Sequence, residues 1–254
     1  MTYCLALWCR SGIVFVSDSR TNAGVDNIAI QQKMRVYEDE GKRVVCLQTS
    51  GNLSLSQTVV SLIEEDLQRA QSESGHPSLL NRTTMFETAR YVGEKVRAVD
   101  KMDRAALQAN GISFNVHFLV GGQIAGHPHE IYLVYPQGNC LHATHTSPFL
   151  QIGEYKYGKP ILDRGFSYET DLMEAVKFAA ISMEGTMKSN VSVGPPLDIL
   201  AYEADSLRVK YRRRLDEDHP YLTEIRKIWG EGIVKLVREV PPLDFPEAQQ
   251  EGQI

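Results

Sequence analysis

The chain has 254 residues, is 43% hydrophobic and 23% charged, and carries a formal net charge of −5, values that suit one large globular domain with a full core. That balance gives no global attraction to nucleic acid or anionic membrane. No apolar run reaches spanning length and no basic leader opens the chain, so a soluble cytoplasmic protein is expected. Cys4, Cys9, Cys46 and Cys140 lie scattered in apolar runs without C-x-x-C or zinc-like His spacing, which reads as reduced core thiols and implies neither metal nor cofactor.

Tyr3 to Trp8 and Ile13 to Ser17 are apolar runs around Cys9-Arg10-Ser11-Gly12, read as strand, turn, strand. A hairpin centred on Arg10-Ser11 pairs positions whose numbers sum to 21, so Thr2 falls opposite Ser19, one residue from Asp18. After the polar stretch Thr21 to Asn27, the second half of IAIQQKMRVYED reads as a strand carrying Lys33, and RVVCLQ as another that ends at Thr49-Ser50-Gly51. Asn52-Leu53-Ser54 opens a helix with Leu55, Val59, Leu62, Ile63 and Leu67 at helical spacing. A second helix runs from about Thr84 to Asp103, with Phe86, Ala89, Val92, Val96 and Val99 on one side.

Three strand candidates follow, SFNVHFLVGG, EIYLVYP and CLHATH, the last two joined by the turn Pro136-Gln137-Gly138-Asn139. A glycine-bearing stretch, QIGEYKYGKPILDRG, leads to a third amphipathic helix over Ser167 to Met187. A loop and strand in SNVSVGPPLDILAYEADS, a strand near RVKYRRR and a helix from about Tyr221 to Val237 complete residues 1–240, one domain without an internal linker. Residues 241–254 read as a loose tail. Strands and helices come in blocks, which disfavours a doubly wound parallel sheet and suits an α+β fold of two facing antiparallel sheets with helices outside.

Removal of Met1 would leave Thr2 as an amino-terminal threonine, whose Oγ can attack while its own α-amine takes the proton near neutral pH. Lys33 would favour an oxyanion beside it and Asp18 would hold Lys33 charged and oriented. Backbone N–H groups at Thr49-Ser50-Gly51 could face the oxyanion, because glycine admits substrate closely. Other signals are weaker. His142 and His145 lie an odd number apart on a strand and point to opposite faces; HPHE at 127–130 reads as a turn, VGGQIAGH lacks the Lys-Ser/Thr of a phosphate loop, and YRRRLDED reads as a solvated face or subunit contact. Tyr155 and Tyr157 could line a substrate pocket, but buried sandwich tyrosines are the preferred reading.

Four strings, MTYC, SDSRTNAGVDNIA with Lys33 soon after, QTSGNLSLSQ and MEGTMKSNVSVGPPLDI, together resemble a proteasome β-subunit of the amino-terminal-nucleophile hydrolase class. They are most similar to the bacterial Anbu (ancestral β-subunit, proteasome-type protease) group, and the resemblance covers nearly the whole chain apart from the tail. It implies a four-layer α-β-β-α sandwich and a threonine peptidase with Thr2 as nucleophile and base. It also implies Asp18 and Lys33 as the charged pair, Arg20 as a structural residue, Gly51 at the oxyanion turn, and Ser189 as the serine near the amine. Homo-oligomers, rings or open spirals, acting on peptides or unfolded proteins are implied too, with room for an ATP-dependent unfoldase that no segment identifies. Two positions depart from the pattern: Ile152-Gly153-Glu154-Tyr155 replaces a Gly-Ser-Gly segment, and Thr186 replaces an aspartate. Both remove polar partners expected around the amine and motivate a second reading, a non-catalytic or narrowly specialised amidase-like assembly.

Overall fold

The computed structural model describes residues 1–22 and 28–245. Positions 23–27 of the polar stretch, and 246–254 of the expected loose tail, lie outside the described residues. The first hairpin joins β1 (Tyr3–Cys9) to β2 (Gly12–Asp18) in the expected register, from Cys4 opposite Ser17 to Cys9 opposite Gly12. Both strands are buried along their whole length because both faces are covered, which is why they read as nearly unbroken apolar runs. A short ribbon follows, β3 (Arg20–Asn22) with β4 (Ile28–Ile30), then β5 (Met34–Asp39) and β6 (Arg43–Gly51).

Helices α1 (Leu53–Ser72) and α2 (Met85–Ala109) precede β7 (Val116–Ile124), β8 (Glu130–Val134) and β9 (Cys140–His142). The chain continues through β10 (Phe149–Gly153), α3 (Lys159–Gly165), α4 (Leu172–Ser189), β11 (Leu197–Glu203), β12 (Tyr211–Leu215) and α5 (Pro220–Glu239). The strands form two five-stranded sheets, ordered β10-β1-β2-β11-β12 and β5-β6-β7-β8-β9, antiparallel at every pairing.

Strand alternation sorts the apolar side chains into three cores and so defines four layers. In β1, Cys4, Ala6 and Trp8 face the second sheet and meet Cys46 and Leu119. Tyr3, Leu5 and Leu7 face the other way and pack with Ala179 and Met183 of α4. Behind the second sheet, Leu47 and Phe118 pack with Val59 of α1 and Val92 of α2. A wholly buried side chain such as Leu5 contributes roughly 1.5–3 kcal/mol through its burial. The chain is therefore the expected α-β-β-α sandwich.

Several local expectations are corrected. Lys33 precedes β5 by one residue instead of lying in a strand, although its carbonyl still accepts the Thr49 N–H at 3.1 Å. Helix α2 runs past Asp103 because neither glycine nor proline stands between Asp103 and Gly111, and its buried face takes Met85 while Phe86 is 52% exposed against Tyr132. Helix α4 starts five residues later than Ser167, where Asp171 accepts the Met173 N–H at 2.9 Å as its cap. The glycine-bearing stretch contributes β10 and α3. His142 and His145 converge on Trp8, with His145 stacked at 5.1 Å, because β9 ends at His142 and strand alternation stops there. Tyr155 and Tyr157 are 51% and 41% exposed, not buried. Among the described residues no helix is long and apolar enough to cross a membrane, and no cluster of His, Cys, Asp or Glu is arranged to hold a metal ion.

Candidate active site

Thr2 stands immediately before β1, the strand flanked in its sheet by β10 and β2. Its carbonyl accepts the Glu154 N–H at 2.7 Å, so the end of β10 fastens it on one side. Gly153 permits this approach: its φ is +85°, and a Cβ there would strike the Thr2 carbonyl. On the other side Tyr3 N–H donates to Asp18 Oδ1 at 3.0 Å, which ties the start of β1 to the end of β2.

Asp18 and Lys33 form a buried ion pair, 0% and 3% exposed, with Nζ 2.7 Å from Oδ1. Lys33 Nζ also donates to the Arg20 carbonyl at 2.6 Å, while Asp18 Oδ2 accepts the Arg20 N–H at 3.2 Å. The turn Ser19-Arg20 is thereby clamped by both members of the pair. Burial pushes the Asp18 carboxyl up from its ordinary value; the Lys33 charge and hydrogen bond, and the Tyr3 and Gly194 N–H groups, pull against it. Arg20 Nη1 donates to the Val191 carbonyl at 2.8 Å, which joins this turn to the loop after α4.

Gly51 ends β6 at a φ of +101°, with the Asn115 carbonyl so close that a side chain would collide with it. The next residue caps α1: the Asn52 side chain accepts the Ser54 N–H at 3.0 Å, and its own N–H donates to the Asn115 carbonyl at 2.8 Å. Thr2, Ser50, Gly51 and Asn52 together line a cleft of about 850 Å³ that extends to Asn115, His117, Tyr135 and Tyr155. Among the described residues its wall contains no aspartate, glutamate, lysine or arginine. Burial lowers the His117 pKa, so this imidazole is neutral near pH 7.

Thr2, Asp18, Lys33 and Gly51 are thus brought into one region. Ser189 is not drawn in with them: it is the last residue of α4, exposed, and among the described residues it neither lines the cleft nor makes a side-chain hydrogen bond. The adjacent Asn190 reaches inward instead, its Nδ2 donating to Glu154 Oε2 at 3.2 Å. Glu154 is 6% exposed. The expectation that this position removes a polar partner is therefore corrected, since a buried carboxylate occupies the vicinity of the amino terminus. Thr186 is wholly buried and turns its hydroxyl back to the Ser182 carbonyl at 2.9 Å, so it offers the site nothing. The cleft residues His117 and Tyr135 carried no signal beyond ordinary strand composition, and Asn190 stood within MEGTMKSNVSVGPPLDI without marking itself as a site residue.

The chain matches the proteasome subunit family over residues 2–200. It is similar to the structure of Anbu (ancestral β-subunit) from Yersinia bercovieri, with 43% identity over 96% of this chain and 100% of that one and a TM-score of 0.87. The helical assembly of the Anbu complex from Pseudomonas aeruginosa shares 42% identity over 95% and 98% of the two chains, with a TM-score of 0.88. A Gly-1 mutant of Anbu from Hyphomicrobium sp. strain MC1 gives 38%, 96%, 100% and 0.89 for the same measures. Among curated proteins none matches.

Proposed function

The chain belongs to the proteasome subunit family, beside the Anbu proteins, and from that premise we propose that it is a self-assembling threonine peptidase whose nucleophile is Thr2. The observation that carries this reading is the buried Asp18–Lys33 pair set beside Thr2 at the mouth of an uncharged cleft. With Met1 in place the nitrogen of Thr2 is an amide and cannot act as a base; removal of Met1 frees it. Thr2 Oγ then attacks the peptide carbonyl while the α-amine takes the hydroxyl proton. The oxyanion lies toward the Gly51 N–H, and the Lys33 ammonium favours its negative charge. Collapse of this intermediate expels the leaving amine, which receives the proton held by the α-amine, and leaves an ester on Oγ. Water, deprotonated by the same amine, hydrolyses the ester and restores the hydroxyl.

Asp18 pairs with Lys33 and aims it, and the clamp on Arg20 fixes both. The uncharged cleft wall favours neutral side chains beside the scissile bond, because a buried charge there would lack a partner. Peptides or unfolded chains are the substrates. Self-assembly, as a ring or an open spiral of one subunit, is supported by the relative solved as a helical assembly. Exposed apolar residues on α5, Ile228, Val234, Leu236 and Val237, also support it, and no segment identifies an unfoldase partner.

Intact-mass spectrometry before and after exposure to a peptide epoxyketone tests the reading. Ring closure by that probe consumes both Oγ and a free α-amine. Loss of Met1 with a single adduct on Thr2 is expected, and Thr2→Ala should abolish the adduct while leaving assembly intact. Retained Met1 without an adduct would refute the reading in favour of a non-catalytic assembly.

A further inference from the structure

In the sheet order β10-β1-β2, the strand that Thr2 leads into lies between two strand ends that each bring a buried carboxylate. Asp18 closes β2 and Glu154 follows the last residue of β10. Their surroundings differ. Asp18 is occupied by the Lys33 ammonium and by N–H groups from Tyr3, Arg20 and Gly194. Glu154 is only partly occupied. Its Oε2 accepts from Asn190, and Lys156 Nζ lies 3.7 Å from Oε1, beyond a hydrogen bond, on a side chain 69% exposed. A carboxylate offers about four acceptor positions, so several remain on this one. Its peptide N–H is fixed to the Thr2 carbonyl, so the carboxylate is carried by a backbone bonded to the residue that bears the amine.

We propose that Glu154, positioned by Asn190, is the ionic partner of the Thr2 α-amine. When the amine takes the proton from Oγ, Glu154 stands opposite the resulting ammonium without taking that proton itself. Lys33 disfavours a second positive charge nearby, and Asp18 is committed to Lys33. Glu154 therefore supplies the compensation that the exposed Ser189 and the inward-bonded Thr186 do not. The charged groups bearing on this amine are Lys33, Asp18 and Glu154; Arg20 and Lys156, bonded or adjacent to the same elements, complete the set. The amino terminus of the Met1-bearing chain already registers this field: burial and then Lys33 lower its pKa, whereas Asp18 and Glu154 raise it.

The role of the amine in turnover rests on the Thr2 reading above, but the charge partnership can be measured without turnover. The full chain, released from a cleavable leader so that it begins at Thr2, is labelled with trace acetic anhydride across the neutral and alkaline range. The labelled terminal peptide is quantified by mass spectrometry for the parent, Glu154→Gln, Glu154→Asp and Asn190→Ala. Glu154→Gln should lower the amine's apparent pKa by about one unit, the shift expected for losing a nearby opposite charge. Glu154→Asp should retain most of the parent value, and Asn190→Ala should move in the direction of the glutamine variant by less. An unshifted amine in Glu154→Gln overturns the proposal, as does an equal shift in Glu154→Asp. A parent that titrates as expected yet forms no epoxyketone adduct would refute the peptidase reading and leave the partnership standing.

Discussion

Replacing Lys33 by methionine tests the buried pair on which the site is built. The ammonium lies 2.7 Å from Asp18 Oδ1, with 4% and 0% of the two side chains exposed. Removing one member of such a pair leaves an uncompensated charge and costs about 3–5 kcal/mol. Two backbone N–H groups, from Tyr3 and Arg20, stay hydrogen-bonded to the Asp18 carboxylate, and that of Gly194 adds to its stabilisation. They place the expected loss near the lower end, about 3 kcal/mol. Asp18→Asn alone leaves the buried ammonium with only neutral acceptors, the Arg20 carbonyl and the new amide oxygen, so it too should be costly, and the double variant should recover part of the sum.

The loss should also depend on pH, with a definite sign. Burial already raises the Asp18 carboxyl above its unfolded value, near 3.9, and removing Lys33 raises it further. A raised carboxyl contributes its full stability below the unfolded value and loses it as pH rises through the folded one. The deficit of Lys33→Met is therefore greatest at neutral pH and narrows on acidification, as Asp18 takes up a proton. Guanidinium unfolding at fixed protein concentration, at neutral pH and near pH 5, measures it; concentration is held because assembly shifts the midpoint. A neutral-pH loss below about 1 kcal/mol, the size of an exposed pair, would refute the argument. So would a deficit that does not change with acid.

Gly51→Ala should lose about 1–3 kcal/mol, because its φ of +101° and the Asn115 carbonyl leave no room for a methyl group. The same variant should slow epoxyketone labelling, read by mass against time. At the far side of the sandwich, burial pulls Asp66 up, but hydrogen bonds from Lys95, Tyr91 and His76 and the Lys95 charge bring its carboxyl down to about 2. Its contribution is present above the unfolded value near 3.9 and fades as pH falls through about 2. Asp66→Asn should then cost on the order of 1 kcal/mol at pH 7, with the gap narrowing below about pH 4 in denaturation curves.

The parts of the site made by local chain geometry were legible in the sequence. One tight hairpin sets Thr2 beside Asp18, and a glycine followed by an asparagine cap marks the turn at Gly51 and the start of α1. What escaped depends on long-range pairing. Phe149–Gly153 is a short alternating run, but the glycines and charges that follow it make the stretch read as a loop; it pairs with β1, Tyr3 opposite Gly153, and so delivers Glu154 to the amino terminus. Nothing near residue 154 in the chain announces that neighbour. Lys33 was misplaced by one residue for a related reason: its run reads as extended, but the regular pairing starts at Met34. The histidines near Trp8 show the limit of period-two reasoning, which holds only while the strand continues.

A carboxylate beside the Thr2 amine has opposite effects on the two halves of a base's task, and this separates a charge role for Glu154 from a packing role. By raising the amine's pKa it reduces the fraction of free amine at neutral pH; by making the amine a stronger base it raises the rate at which each free amine accepts the Oγ proton. Glu154→Gln should reverse both. Its adduct-formation profile should start its rise at lower pH than the parent and level off at a lower plateau, so that the two profiles cross. Loss of packing alone would lower the rate at every pH and leave the rise where it was. Epoxyketone labelling rates followed by intact mass from mildly acidic to alkaline pH make the comparison directly. Parallel profiles with an unmoved rise would show that Glu154 shapes the end of β10 without governing the amine.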